Sequence, residues 1–383
     1  MKEKKPILIT CFPRISKVLA GELESLGYEV LEQEAKNVRT RGNWEDVMRL
    51  NLSLRTANRV LWEIDSFTVS KPDELYDCVK QIKWHLLIPK DGYFSVQSFV
   101  KNDYIKDTRF ANLKVKDAIV DYHYELLGKR PDSGPDYSRT VIFLHWINDK
   151  ATIYFDTSGE SIAKHGYRKD PWKAPMSEAL AAATILQSGW DPAQTDQHFV
   201  NPMCGSGTLA IEAAMMAANM PGNWNRSNFG FMHIVGFNRM LWNNIRREAR
   251  KHLRKPPMRI VATDISPKAV QIAQRNALEA GVADYIDFET CDFRDTEVPE
   301  GSGVVFLNPE YGERLGEEKR LESTYKAIGD FFKQKCQGYL GYIFTGNLKL
   351  ARMVGLKPKR KVEFLNAKID SRLVAYELYK GKK

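Results

Sequence analysis

The chain has 383 residues, 43% of them hydrophobic, which is enough apolar mass for two or three packed domains and excludes a disordered polymer. Its net charge of +9 favours a nucleic-acid partner without establishing one. No apolar run approaches the roughly 20 residues that span a bilayer, and the start MKEKKPILITCFPRISK lacks the long apolar segment of a signal peptide. The five cysteines (Cys11, Cys78, Cys204, Cys291, Cys336) are odd in number, widely spaced and form no CxxC pair. Reduced thiols in a cytoplasmic protein, with no membrane anchor and no metal site, are the expectation.

In chain order, PILITCFPRISKVLAGELESLGYEV reads as a strand, an amphipathic helix ended by Gly27, and a second strand. GNWEDVMRLNLSLRTANRVLWEI reads as a helix with a strand at its end. GYFSVQSFVKNDYIKDTRFANLKVKDAIVDYHYELLG gives a strand, a loop that mixes Lys101, Tyr104, Lys106 and Arg109, and then a helix. Cations interleaved with aromatics suit RNA backbone contact and base stacking, and equally a solvated loop. TVIFLHWINDKATIYFDTSG is two strands meeting at Asn148-Asp149. This α+β region ends near residue 160, and a hinge is expected over GESIAKHGYRKDPWKAP.

From SEALAAATIL onward the pattern changes to strands alternating with helices. HFVNPMCGSGTLAIEAAMMAA is a strand, a glycine-rich turn and a helix. RIVATDISPKAVQIAQRNALEAGV repeats it, with Ser266 as N-cap, Pro267 at the first helical position and Gly281 as the stop. YIDFETCDF, GVVFLNPEYG and YLGYIFTGN supply three more strands, and KRKVEFLNAKIDSRLVAYELYK a closing hairpin. This is the pattern of a doubly wound α/β sheet, mostly parallel, with an antiparallel hairpin at its end. Ligands of such sheets lie beyond the carboxyl ends of the strands. The polar loops over Asn201 to Thr208, at Asp264, at Asp292 and over Asn308 to Gly312 all fall there.

Gly205 and Gly207 permit close backbone approach to a ligand. The GxGxxG fingerprint fails because Ala210 stands where its third glycine belongs, and no GK[ST] follows to make a P-loop. Asp264 suits acceptance from ribose hydroxyls and Asp292 from an adenine amine, and each also suits a turn cap. Two basic clusters, IRREARKHLRKPPMR and KPKRK, read as RNA-facing or simply as solvated faces.

At these residues NPMCGSGT, ATDISPKAV, CDF and NPEYGERLG resemble motifs I to IV of class I S-adenosylmethionine-dependent methyltransferases. The nearest likeness is to the THUMP-domain RNA methyltransferases that act on guanine N2 of large-subunit ribosomal RNA, some relatives of which act on tRNA. It spans nearly the whole chain and is looser in the first half. It implies a ferredoxin-like region over residues 1–65, a THUMP RNA-binding domain over 66–160, a linker over 161–175 and a Rossmann-like methyltransferase domain of seven strands over 176–383. S-adenosylmethionine would be held by Asn201, Pro202, Cys204, Gly205, Gly207, Thr208, Asp264, Ile265, Asp292, Phe293 and Asn308. Asn308 and the Pro309 carbonyl would orient the target amine, and Tyr311 would stack on the base. Read from the residues themselves, Glu310, Lys101, Tyr104 and Arg109 are candidate RNA contacts, and Arg314 suits a phosphate contact, a brace for the loop or a surface pair with Glu313. A tRNA guanine methyltransferase and a non-catalytic RNA-binding assembly factor remain alternatives.

Two positions depart from the family pattern. Asn201 stands where an aspartate is usual, and Glu310 replaces the second proline of Asn-Pro-Pro-Tyr. Three readings of Glu310 stay open: its carboxylate reads the N1–H and N2–H of guanine, only its backbone matters, or the site is degenerate.

Overall fold

The computed structural model describes residues 3–105, 107–170, 176–312 and 317–379. The chain divides into two compact units: Met1–Cys11 with Ala20–Ile162 and Arg226–Glu248, and Phe12–Leu19 with Ala163–Asn225 and Ala249–Lys383. Among the described residues no helix is long and apolar enough to cross a membrane.

The first unit is built on one eight-stranded sheet, ordered β2-β3-β1-β4-β8-β7-β5-β6. Its strands are β1 (Lys5–Cys11), β2 (Glu32–Gln33), β3 (Asn37–Gly42), β4 (Ala57–Thr68), β5 (Tyr93–Lys101), β6 (Asp132–Ser133), β7 (Thr140–Ile147) and β8 (Lys150–Asp156). The helices of this stretch of chain are α1 (Ser16–Ser25), α2 (Trp44–Ser53), α3 (Pro72–Lys80) and α4 (Thr108–Leu127). Asn43 and Asp46 close a reciprocal capping box at the start of α2, and such a cap contributes about 1 kcal/mol. Asn148 takes the left-handed conformation that a two-residue turn between β7 and β8 requires. The border expected between residues 65 and 66 falls inside β4, which pairs with both β1 and β8. One sheet therefore continues through it. The second strand expected at Tyr28 to Val30 does not form. The chain pairs only at Glu32 and Gln33, after Leu31 N–H has reached the Arg39 carbonyl.

The second unit alternates as its sequence requires: α5 (Glu178–Ser188), β9 (Gln197–Pro202), α6 (Thr208–Ala217), β10 (Ile260–Asp264), α8 (Pro267–Ala280), β11 (Asp287–Thr290), β12 (Ser302–Leu307), α9 (Glu317–Lys335), β13 (Tyr339–Thr345), α10 (Leu348–Arg352), β14 (Arg360–Asn366) and β15 (Ile369–Glu377). Helix α7 (Arg239–Lys251), which lies between α6 and β10 in the chain, buries Trp242 and Ile245 and exposes Arg247, Arg250 and Lys251. The sheet order is β11-β10-β9-β12-β13-β15-β14. β15 runs antiparallel to both its neighbours. The antiparallel strand thus lies inside the sheet and β14 forms the edge, because the hairpin folds back between β13 and its own first strand. Val200, Val305, Leu307, Ile343 and Val374 form the core beside Tyr325, Phe331 and Phe332 of α9. Burial of such side chains contributes roughly 1.5–3 kcal/mol each.

The expected linker is largely structured. His165 and Tyr167 are buried and both bond Glu212 Oε1 of α6, at 2.7 and 2.9 Å. Burying a carboxylate is costly unless it is paired and hydrogen-bonded, which explains why this stretch packs tightly. Residues 171–175 of the same segment lie outside the described residues.

Candidate active site

The loops at the carboxyl ends of β9, β10, β11 and β12 belong to neighbouring parallel strands. The glycine loop between β9 and α6 depends on residues that can take a left-handed backbone. Met203, Gly205 and Gly207 all have positive φ. A Cβ on Gly207 would lie 2.9 Å from Ala273 Cβ, so α8 packs against the loop only because this residue is glycine. Cys204 N–H donates to Thr263 O at 2.8 Å, and Gly205 N–H to Asp264 Oδ2 at 3.0 Å. The Cys204 thiol is buried and pushed up in pKa by that burial, so it is a packing group and not a nucleophile.

Asp264 also accepts from Ser266 N–H at 2.9 Å. Each of its oxygens therefore carries one backbone bond, and a carboxylate with about four lone-pair sites retains capacity for a ligand hydroxyl. Ile265 beside it is 70% exposed, an apolar side chain with nothing to bury it. Asn201 is buried at the end of β9. Its Nδ2 donates to Phe306 O of β12 at 2.8 Å, while its Oδ1 has no partner among the described residues. An aspartate here would turn an acceptor toward that carbonyl. The amide supplies the donor.

Asp292 is less open than expected. It caps the turn after β11 through Arg294 N–H, and the Arg294 guanidinium engages both its oxygens at 2.8 and 2.9 Å. That hydrogen bonding holds its carboxyl below the usual range. The Phe293 ring packs in the core, edge-on to Phe331.

In the loop after β12, Asn308 Oδ1 accepts from Tyr311 Oη at 2.8 Å. The Tyr311 ring lies 6.4 Å from that of Phe344 and beside Gly346, where a Cβ would come within 3.2 Å of it. Pro309 is buried. The Glu310 side chain points to solvent and pairs loosely with Arg320 at 3.4 Å, both groups being mostly exposed. Its backbone carbonyl, by contrast, accepts from Tyr325 Oη at 3.2 Å, and Asn347 Nδ2 donates to Tyr311 O at 3.2 Å. Arg314 lies outside the described residues.

The candidate RNA contacts of the first half lie at the end of β5 and the start of α4. Lys101 and Tyr104 are exposed. Arg109 is bound to Asp107, the N-cap of α4. Part of the basic cluster is structural: Arg254 donates to Ala217 O and Pro192 O, and Arg259 pairs with Asp287 and Glu297.

Several contributors escaped the sequence reading. Arg168 Nη2 bonds Thr208 Oγ1 at 2.8 Å. Asn276 of α8 receives Lys169 N–H and donates to Asp170 O and Ser206 O, tying that segment to the glycine loop. Thr345 ends β13 and Asn347 follows it, at the same sheet edge. Their polar character at a strand's carboxyl end was the available signal.

Comparison with known proteins adds lineage to this geometry. Residues 165–375 match the family described as "RMKL-like, methyltransferase domain", residues 6–61 the "RlmL ferredoxin-like domain" and residues 69–156 the "THUMP domain". The chain is 34% identical to a ribosomal RNA large subunit methyltransferase K/L of Syntrophotalea carbinolica, over 95% of this chain and 52% of that one. It is 33% identical to the protein of that name in Pseudomonas aeruginosa, over 99% and 53%. The chain thus spans about half the length of the curated relatives it matches. A crystal structure of SMU.472 in complex with SAH superposes with a TM-score of 0.88 at 29% identity, covering 100% of both chains.

Proposed function

The chain belongs to the RMKL-like methyltransferase-domain family, and on that premise we propose that it methylates the exocyclic N2 amine of a guanine in large-subunit ribosomal RNA, in the cytoplasm, with S-adenosylmethionine as cofactor. One observation carries the reading. β9 and β12 are adjacent parallel strands, and they end respectively in a glycine cradle beside the Asp264 carboxylate and in Asn308-Pro309.

The residues present fit that cofactor. Asn201 Oδ1 is a buried acceptor without a partner among the described residues at the end of β9, and the glycines of the following loop permit close approach to its backbone. Asp264 would accept from ribose hydroxyls, and exposed Ile265 would lie against the base. S-adenosylmethionine supplies a methyl already activated on a sulfonium, so the protein needs no strong general base. What remains is positioning, with amine and methyl within about 3–3.5 Å and in line. Asn308 Oδ1 would trade its Tyr311 hydroxyl for an N–H of the guanine amine, and the Pro309 carbonyl would accept the second. Two acceptors draw the amine toward pyramidal geometry and free its lone pair. Tyr311, released from Asn308, would stack on a base that is single-stranded or flipped. Lys101, Tyr104 and Arg109 would contact the RNA from the first unit.

Incubation with radiolabelled S-adenosylmethionine and total RNA from cells lacking the gene, followed by nucleoside analysis, tests the reading. Label in N2-methylguanine of large-subunit ribosomal RNA is expected. Label in tRNA or in another nucleoside would replace the substrate. No label in the presence of measurable cofactor binding would favour a non-catalytic RNA-binding role.

A further inference from the structure

The loop that carries Asn308 is gripped by its main chain, and the grip comes from residues distant in sequence. Tyr325 of α9 and Thr345 of β13 are both 0% exposed. Tyr325 Oη lies 3.2 Å from Glu310 O and 2.9 Å from Thr345 Oγ1, and Asn347 N lies 3.0 Å from Thr345 Oγ1. A carbonyl only accepts, so the single proton of Tyr325 points at Glu310 O. Thr345 must then donate to Tyr325, and its oxygen accepts from Asn347 N–H. Burial lifts the Tyr325 phenol to about 12, so the proton stays in place through the physiological range. The neighbouring carbonyl, Tyr311 O, is held by Asn347 Nδ2, whose own oxygen accepts from Lys349 and Leu350 N–H at the start of α10.

We infer that Tyr325 is a positioning residue for the loop after β12, holding the Glu310 carbonyl at the end of a one-way hydrogen-bond chain that runs from Asn347 N–H through Thr345 and Tyr325. The role of the loop rests on the methyltransferase reading above; the tether does not. The chain also accounts for the residue at 310. What it grips is a carbonyl, which glutamate and proline both possess, while the side chain at that position projects into solvent beside Arg320. The loop can therefore keep its geometry without the second proline.

Tyr325→Phe and Thr345→Val each remove one hydroxyl from the chain with little change in volume, and Thr345→Ser preserves it. Three readouts are needed: deuterium uptake of peptides covering 306–312, SAH binding by calorimetry, and the kcat and KM of methyl transfer. Tyr325→Phe and Thr345→Val are expected to speed exchange in the loop about fivefold or more and to lower kcat about ten- to a hundredfold, with SAH affinity and the KM for S-adenosylmethionine held within about twofold. Thr345→Ser should match the parent, and the double variant should be no worse than either single because both break one chain. Glu310→Ala should cost at least about tenfold less in kcat than Tyr325→Phe. Exchange and kcat unchanged in both Tyr325→Phe and Thr345→Val would overturn the inference. A parent that methylates no RNA, with loop exchange still faster in Tyr325→Phe, would remove the methyltransferase reading and leave the tether standing.

Discussion

The two ligand-facing loops of the second unit are fixed in opposite ways. The glycine loop after β9 takes positive φ at three residues and donates two of its N–H groups to Thr263 and Asp264 of the neighbouring strand, 59 residues further along the chain. The loop after β12 has no glycine before Gly312, and it takes its shape from Tyr325 and Asn347, which lie 15 and 36 residues further along the chain. The first loop's conformation comes from its glycines and its anchorage from its own N–H donors. The loop after β12 is held instead by side-chain donors that reach its carbonyls.

The largest effect should fall on the second loop. Asn308→Ala removes the acceptor that would orient the amine, and kcat should drop about a hundred- to a thousandfold, the scale of losing one preorganised polar contact. SAH binding by calorimetry should weaken far less. Equal losses in both would mean that Asn308 serves the cofactor and not the substrate, and the contrast between the loops would collapse.

Asp264→Ala should do the reverse. It removes the partner of Gly205 N–H and Ser266 N–H together with the expected ribose contact, so SAH affinity should fall about tenfold or more, equivalent to some 1.4 kcal/mol. Melting should drop by a few degrees at most, because the lost backbone bonds are part-exposed. Unchanged affinity would reduce Asp264 to a brace for the glycine loop.

Arg294→Ala should have the smallest effect. The guanidinium beside Asp292 depresses its carboxyl, so the pair stabilises the fold above the unfolded carboxyl range and loses that contribution as pH falls through the folded value. The group is near the surface, and an exposed pair contributes about 0–1 kcal/mol. Removing Arg294 should raise the Asp292 pKa, visible by NMR titration, and leave stability at neutral pH nearly unchanged. It should also leave Asp292 with only the backbone N–H of residue 294, so SAH affinity that rises in the variant would identify Arg294 as a competitor for the adenine site, and affinity that falls would make it a cofactor contact.

The sequence by itself determined the alternation of strands and helices in the second unit, the caps at Ser266 and Gly281, the hairpin turn at Asn148, and the four polar strand ends, because each is a local rule: periodicity, a capping hydroxyl, a positive φ, a parallel-sheet edge. It could not show that β15 inserts inside the sheet, since a hairpin's own pattern does not record which strand it meets. Nor could it show that the stretch before α5 packs through Glu212, whose buried partners His165 and Tyr167 lie 47 and 45 residues away. Read along the chain, Glu310 left three readings open, one of them that only its backbone matters. Only the tertiary structure supplies the contact behind the backbone reading: the atom held there is a carbonyl oxygen, common to every residue, and the hydroxyl holding it belongs to Tyr325 of α9.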